Sequence, residues 1–191
     1  MNVPSAQAGQ IILVTGPARS GKSEWAEQLA EGARQSGTRT VIYVATARPM
    51  PEDAEWTARL AAHRRRRPGH WQLEEVPEDL TALLDRASAD QCLLIDSLGS
   101  WLANAIEWEE DLWRSQVQTF RSALDRCPAL VILVAEETGW GVVPAYALGR
   151  RFRDRLGQLT RDLGQQADAV YLAVAGYVLP LHGLGDRLDA E

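Results

Sequence analysis

An α/β fold, with a mostly parallel sheet flanked by helices in a single domain, is what this sequence predicts, on three observations. Apolar runs of strand length alternate along the chain with helix-length amphipathic segments, the pattern of βαβ units. Between the first such run and the first such segment stand Gly16, Pro17, Ala18, Arg19, Ser20, Gly21, Lys22 and Ser23, which spell a G-x-x-x-x-G-K-S phosphate-binding loop. Further residues able to do chemistry follow the carboxyl ends of later strands, where ligands bind in such sheets. The expected architecture is therefore of the P-loop NTPase kind, spanning residues 1–191 as one nucleotide-binding unit.

Each element has its own justification. Residues 10–15 are almost wholly apolar, as befits a strand buried on both faces. Residues 24–35 carry a helical period, and Gly37 suits the end of that helix before a second strand at 40–45. A helix is expected over 52–66, where Trp56, Leu60 and His63 share one face, with Pro68 and Gly69 ending it. A short strand at 71–76, a helix at 80–88 and a clear apolar strand at 92–96 follow. Helices are expected at 101–105 and 112–126, joined by an exposed acidic bend at Glu109, Glu110 and Asp111. A strand at 130–134, a long amphipathic helix over about 145–166, a strand at 169–174 and an edge strand at 176–181 complete the series. Residues 1–9 and 183–191 are polar and expected to be mobile.

Bulk properties narrow the function. The 191 residues suffice for one substantial core, and 46% are hydrophobic, as in ordinary soluble proteins. A formal net charge of −6 argues against a primary nucleic-acid role, which needs phosphate neutralisation. No apolar stretch approaches the roughly 20 residues of a membrane span, and the first residues lack the charged and apolar regions of a signal peptide. Cys92 and Cys127 both adjoin strands and read as buried thiols. A cytoplasmic location is expected.

The loop acts through its backbone: successive N–H groups and the following helix N-terminus cradle anionic oxygens. Lys22 is expected to reach the β- and γ-phosphates, and the Ser23 hydroxyl to ligate Mg²⁺. Lys22 is the only lysine in the chain; every other residue among the 20 Lys and Arg is arginine. A planar guanidinium cannot replace a compact ammonium inside so tight a loop.

Asp96 ends a strand where it either coordinates a metal or caps the next helix, and both readings stand at this point. Glu136 to Pro144 follow another strand with two glycines around Trp140, a shaped loop in which Glu137 would border a second substrate. Arg64, Arg65, Arg66 and Arg67 follow His63 directly, and His70 lies close by. Such a run is usually a solvated face, yet a neutral imidazole can attack phosphorus while arginines balance the charge that develops. Glu75 either accepts hydrogen bonds from a ribose or base, or is simply exposed.

Taken together these segments resemble the bifunctional adenosylcobinamide kinase/adenosylcobinamide-phosphate guanylyltransferase family of cobalamin synthesis. The likeness runs from Ile11 to about Val178. It rests on Ile12 to Gly16 leading into Ala18 to Ser23, on Tyr43 to Ala47, and on Arg59 to Arg64 with Arg67 to Trp71. It continues in Leu94 to Leu98, Trp101 to Asn104, Glu137 to Pro144 and Arg150 to Asp154. The resemblance implies two reactions: ATP- or GTP-dependent phosphorylation of the aminopropanol hydroxyl of adenosylcobinamide, then GMP transfer from GTP through a guanylyl-histidine. It implies His63 as that histidine. It also implies nucleotide contacts by residues 16–23 and by Thr46, Ala47, Arg64 to Arg67, Glu75 and Asp96, with Mg²⁺ on Ser23 and Asp96. A homo-trimer with sites near subunit boundaries is implied as well, and several exposed tryptophans would suit such interfaces. Two positions depart from the family pattern: Glu136 stands where Asn is usual, and Pro17 replaces a common Gly, removing one N–H. The alternatives are a P-loop kinase for another small hydroxylated metabolite and a GTP-dependent regulatory switch.

Overall fold

The structure, a computed structural model, describes residues 7–37, 39–49, 52–53, 65 and 67–188. Seven strands form one sheet: β1 (Ile11–Gly16), β2 (Thr40–Ala45), β3 (Gln72–Glu75), β4 (Gln91–Asp96), β5 (Leu130–Glu136), β6 (Ala169–Val174) and β7 (Tyr177–Pro180). Their order is β3-β2-β4-β5-β1-β6-β7. All neighbours run parallel except β7, which folds back antiparallel on β6. Five helices are described: α1 (Lys22–Gly37), α2 (Leu80–Asp85), α3 (Leu98–Asn104), α4 (Glu110–Arg126) and α5 (Ala147–Gln166).

Alternation along the central strands divides the core in two. Ile12, Val14, Val41, Leu94, Ile132 and Val134 face one side, where Trp25, Ala26, Leu29, Ala30 and Ala33 of α1 cover them at helical spacing. Leu13, Ile42, Val44, Leu93, Ile95, Val131 and Leu133 face the other, packed under α2, α3, α4 and α5. Because β1, β4 and β5 are buried on both faces, their near-continuous apolar sequences are what a parallel sheet requires. Cys92 and Cys127 are free and buried, as expected, and burial pushes the Cys92 thiol up to about 12. Neither is a nucleophile at neutral pH.

Three details differ from expectation. The helix expected at 101–105 starts earlier, at Leu98, because the Ser97 side chain accepts from Ser100 N and nucleates the turn as N-cap. The helix expected to run to residue 88 ends at Asp85. Exposed tryptophans are not a feature of the described residues: Trp25, Trp71, Trp101 and Trp113 are buried and Trp108 half-buried, leaving only Trp140 exposed. Large rings are needed to close the seams between sheet and helices, so they are drawn inward. Beyond Gly183, Arg187 donates to the carbonyls of Gln165 and Ala167 at the end of α5. No helix among the described residues is long and apolar enough to cross a membrane.

Candidate active site

The phosphate loop leaves β1 at Gly16 and enters α1 at Lys22. Gly16 lies so close to β6 that a Cβ there would stand 2.2 Å from the Ala173 carbonyl oxygen. Gly21 takes φ +93°, a conformation open to glycine, and thereby aims the chain into the helix. Pro17 contributes its carbonyl, which accepts from Ser20 N at 3.3 Å and from Lys22 Nζ at 3.3 Å. The proline therefore serves the closure of the loop, and it is not part of the cavity wall. Lys22 is buried, its ammonium held inside the turn it is meant to complete. Ser20 is buried too, and its Oγ has no hydrogen-bond partner among the described residues.

Opposite the loop stands Asp96 at the end of β4. Its Oδ2 accepts from the Tyr43 hydroxyl at 2.8 Å. The helix cap is its neighbour Ser97, so Asp96 does not cap α3. Thr46 is fully buried: its Oγ1 donates to the Ser97 carbonyl at 2.6 Å and accepts from Ser97 N at 2.9 Å. Its carbonyl accepts from Asn104 Nδ2, which also reaches the Pro77 carbonyl. Thr46 thus joins the exit of β2 to the start of α3 and lies behind the cavity wall.

Glu136 does in this chain what the sequence left unexplained. Its Oε1 accepts from Ser97 Oγ and its Oε2 from Gly99 N at 3.0 Å, satisfying donors in the first turn of α3. Asparagine has one acceptor oxygen and a shorter arm, so the carboxylate supplies a two-pronged contact that the usual residue would not. The next residue, Glu137, donates its N–H to the Gly16 carbonyl at 2.9 Å. The end of β5 therefore holds the phosphate loop with one residue and α3 with the one before it.

Between these parts opens a cavity of about 460 Å³, within the range of small-molecule sites. Of the sequence candidates, Ala18, Lys22, Ser23, Ala47, Arg67, Glu75 and Asp96 line it. Gly16, Pro17, Arg19, Ser20 and Gly21 build the loop beneath. Arg65 is exposed, and His63, Arg64 and Arg66 lie outside the described residues. Sequence reasoning missed Tyr43, Arg48, Ser100 and Phe152, which also line the cavity. Tyr43 and Ala45 are two apart on β2, so a polar ring beside a small residue at the carboxyl end of a central strand was the signal available.

Glu31 of α1 accepts from Arg34, Gln35, His70 Nε2 and Trp71 Nε1. The Arg34 hydrogen bond outweighs burial and, with His70, Trp71 and Gln35, holds the Glu31 carboxyl far below the usual carboxylate range. A lowered carboxyl stabilises the fold above its unfolded-state value, near 4.3, and that contribution is lost as pH falls towards the folded-state value. Urea unfolding of Glu31→Gln is expected to show a deficit of about 1–2 kcal/mol at pH 7 that shrinks steadily below pH ~4. A deficit independent of pH would show that the carboxylate charge is not what tethers Trp71.

A buried lysine in a glycine-edged loop at a helix N-terminus, faced by a carboxylate at the end of the second strand away, defines a P-loop nucleotide-binding protein. Residues 12–181 match the family model described as cobinamide kinase / cobinamide phosphate guanyltransferase, and the chain belongs to that family. It is 42% identical over 176 residues to the bifunctional adenosylcobalamin biosynthesis protein CobP of Pseudomonas aeruginosa, covering 90% of this chain and 96% of that one. With the CobU proteins of Escherichia coli and Salmonella typhimurium, also bifunctional adenosylcobalamin biosynthesis proteins, it shares 35% and 36% identity over 181 residues. Those matches cover 87% of this chain and 96% of each relative. Among solved structures, the flagellar accessory protein FlaH of Methanocaldococcus jannaschii shares 16% identity at a TM-score of 0.49, with 91% of this chain and 76% of that one covered.

Proposed function

We propose that this chain phosphorylates the aminopropanol hydroxyl of adenosylcobinamide with ATP or GTP and then transfers GMP from GTP onto the new phosphate, through a guanylyl-histidine at His63. The observation that carries the reading is one cavity bordered by Lys22, Ser23, Asp96 and Arg67 in a chain of this family. In the kinase step the cobinamide oxygen attacks the γ-phosphorus, the bond to the β–γ bridging oxygen breaks, and the nucleoside diphosphate leaves while the hydroxyl proton is lost. In the second step an imidazole nitrogen attacks the α-phosphorus of GTP and pyrophosphate leaves. A phosphate oxygen of the cobinamide phosphate then displaces the imidazole, giving adenosyl-GDP-cobinamide and restoring His63. In the kinase step Lys22 would meet the charge that collects on the departing β-phosphate oxygens, and in the guanylyl step the charge on the β- and γ-oxygens of the departing pyrophosphate.

The residues present suit Mg²⁺. Ser23 and Asp96 face the same cavity, and no set of three metal-ligating side chains is found among the described residues. An ion that binds through one or two protein oxygens, substrate phosphates and water needs no more. When bound there, Mg²⁺ would neutralise phosphate oxygens.

Adenosylcobinamide is far larger than about 460 Å³, so its macrocycle would rest outside the cavity. The loop after Thr138, which borders the cavity, exposes Trp140, Val142, Val143 and Tyr146, and the first turn of α5 adds Leu148. That apolar run is the surface on which the ring would lie. A homo-trimer belongs to this reading through family resemblance alone, and a cytoplasmic location as the expectation drawn from composition.

Incubation with α-labelled GTP and Mg²⁺ tests the central step. Acid-labile, alkali-stable label is expected on the denatured protein and absent from His63→Ala, which retains cobinamide-dependent ATP consumption. Active wild-type enzyme that never takes up label would reduce the protein to a kinase.

A further inference from the structure

We propose that Tyr43 is a positioning residue that fixes two charged groups of the cavity at once, the Asp96 carboxylate through its hydroxyl and the Arg67 guanidinium through its ring. The inference rests on the preceding reading of Asp96 as the carboxylate that meets Mg²⁺. Tyr43 lies on β2, which pairs directly with β4 so that Ala45 stands beside Asp96. Its side chain is 5% exposed, yet it borders the cavity. The hydroxyl donates to Asp96 Oδ2 at 2.8 Å, and the guanidinium carbon of Arg67 lies 4.1 Å from the ring centroid.

Each contact answers a physical need. A carboxylate oxygen that accepts a fixed hydrogen bond has its plane set before a cation arrives, and such supporting contacts commonly matter for metal affinity. Burial, then the Asp96 charge, pushes the Tyr43 hydroxyl far above its ordinary value, so it stays a donor at every working pH. Arg67 Nε is buried with no hydrogen-bond partner among the described residues. Among the described residues, the ring face of Tyr43 is the contact that orients this arginine, a cation–π contact that holds the guanidinium flat where its outer edge can meet a ligand. One stiff side chain thus fixes the relative positions of a metal carboxylate and an arginine whose sequence separation is 29 residues by numbering, 96 minus 67.

Calorimetric titration with α,β-methylene guanosine triphosphate, a GTP analogue that cannot be cut at its α-phosphorus, separates the two roles when run with Mg²⁺ and again in EDTA. Tyr43→Phe keeps the ring and loses the hydroxyl. It is expected to bind the analogue in EDTA within about twofold of wild type, while the gain in affinity on adding Mg²⁺ shrinks roughly tenfold. Arg67→Gln is expected to do the reverse, weakening binding in EDTA roughly tenfold with the Mg²⁺ gain intact. Tyr43→Leu should show both losses. Apo melting curves check that each variant folds, and a folded Tyr43→Leu that binds in EDTA as tightly as wild type overturns the ring's role. A wild-type Mg²⁺ response in Tyr43→Phe overturns the hydroxyl's role, provided Asp96→Asn loses that response. An Asp96→Asn variant with the full Mg²⁺ gain would instead overturn the reading of Asp96 on which this inference stands.

Discussion

Lys22→Ala is expected to lower kcat/KM of the kinase and the guanylyl half-reactions together, each by roughly three orders of magnitude, about 4 kcal/mol of transition-state stabilisation. The two reactions cut the triphosphate at different bonds, but in both the leaving group carries the β-phosphate oxygens that the loop would cradle. The ammonium is buried and, among the described residues, holds a single 3.3 Å hydrogen bond, to the Pro17 carbonyl. A desolvated cation so thinly satisfied costs folding free energy. Lys22→Met, which keeps the buried stem, should therefore melt at the wild-type temperature or slightly above it while being equally inactive. Scanning calorimetry beside the two assays reads both halves of the expectation. Loss of the kinase reaction with guanylylation preserved would mean that the two chemistries do not share the loop.

Trp101→Ala carries the largest stability effect. Trp101 is 2% exposed, with ring centroids 5.4 Å from Trp113 and 5.0 Å from Phe120, and its Nε1 donates to the Glu78 carbonyl at 2.8 Å. Removing it leaves a ring-sized cavity between α3 and α4 and orphans a carbonyl. Truncations of this kind cost roughly 3–5 kcal/mol, which in a chain this long lowers Tm by roughly 6–20 °C. Trp101→Phe keeps most of the aromatic contact and should forfeit only about 1–2 kcal/mol for the missing hydrogen bond. Because Ser97, Ser100 and Asn104 on the same short helix border the cavity, the alanine variant should also raise KM for nucleotide. A fall in Tm below about 3 °C would show that Trp113 and Phe120 close the gap unaided.

How much of this could be read beforehand follows from where the information lies. β1, β2, β4, β5 and β6 match their expected spans to within a residue or two, because strands buried on both faces are written as apolar runs. The loop from Gly16 to Ser23 announces itself because its chemistry is local. The contacts that complete the site are not local. Tyr43 meets Asp96 across 53 residues, Thr46 meets Ser97 across 51 and Ser97 meets Glu136 across 39. Only the strand order brings these side chains together, and that order is not contained in any window of sequence. Thr46 illustrates the consequence: adjacent to Ala47, which faces the cavity, it points the other way and serves the scaffold. The start of α3 lies three residues before its expected position for a related reason. Its cap is a serine directly after the strand, and an apolar run gave no hint of where extension stops.

The solitary lysine has a practical corollary. Isotopic labelling of lysine alone would yield a protein with one enriched side chain, and that side chain sits inside the phosphate loop. Its amine resonance would report directly on occupancy of the pocket, resolving a bare loop from one filled by triphosphate, diphosphate or pyrophosphate, without any engineered probe.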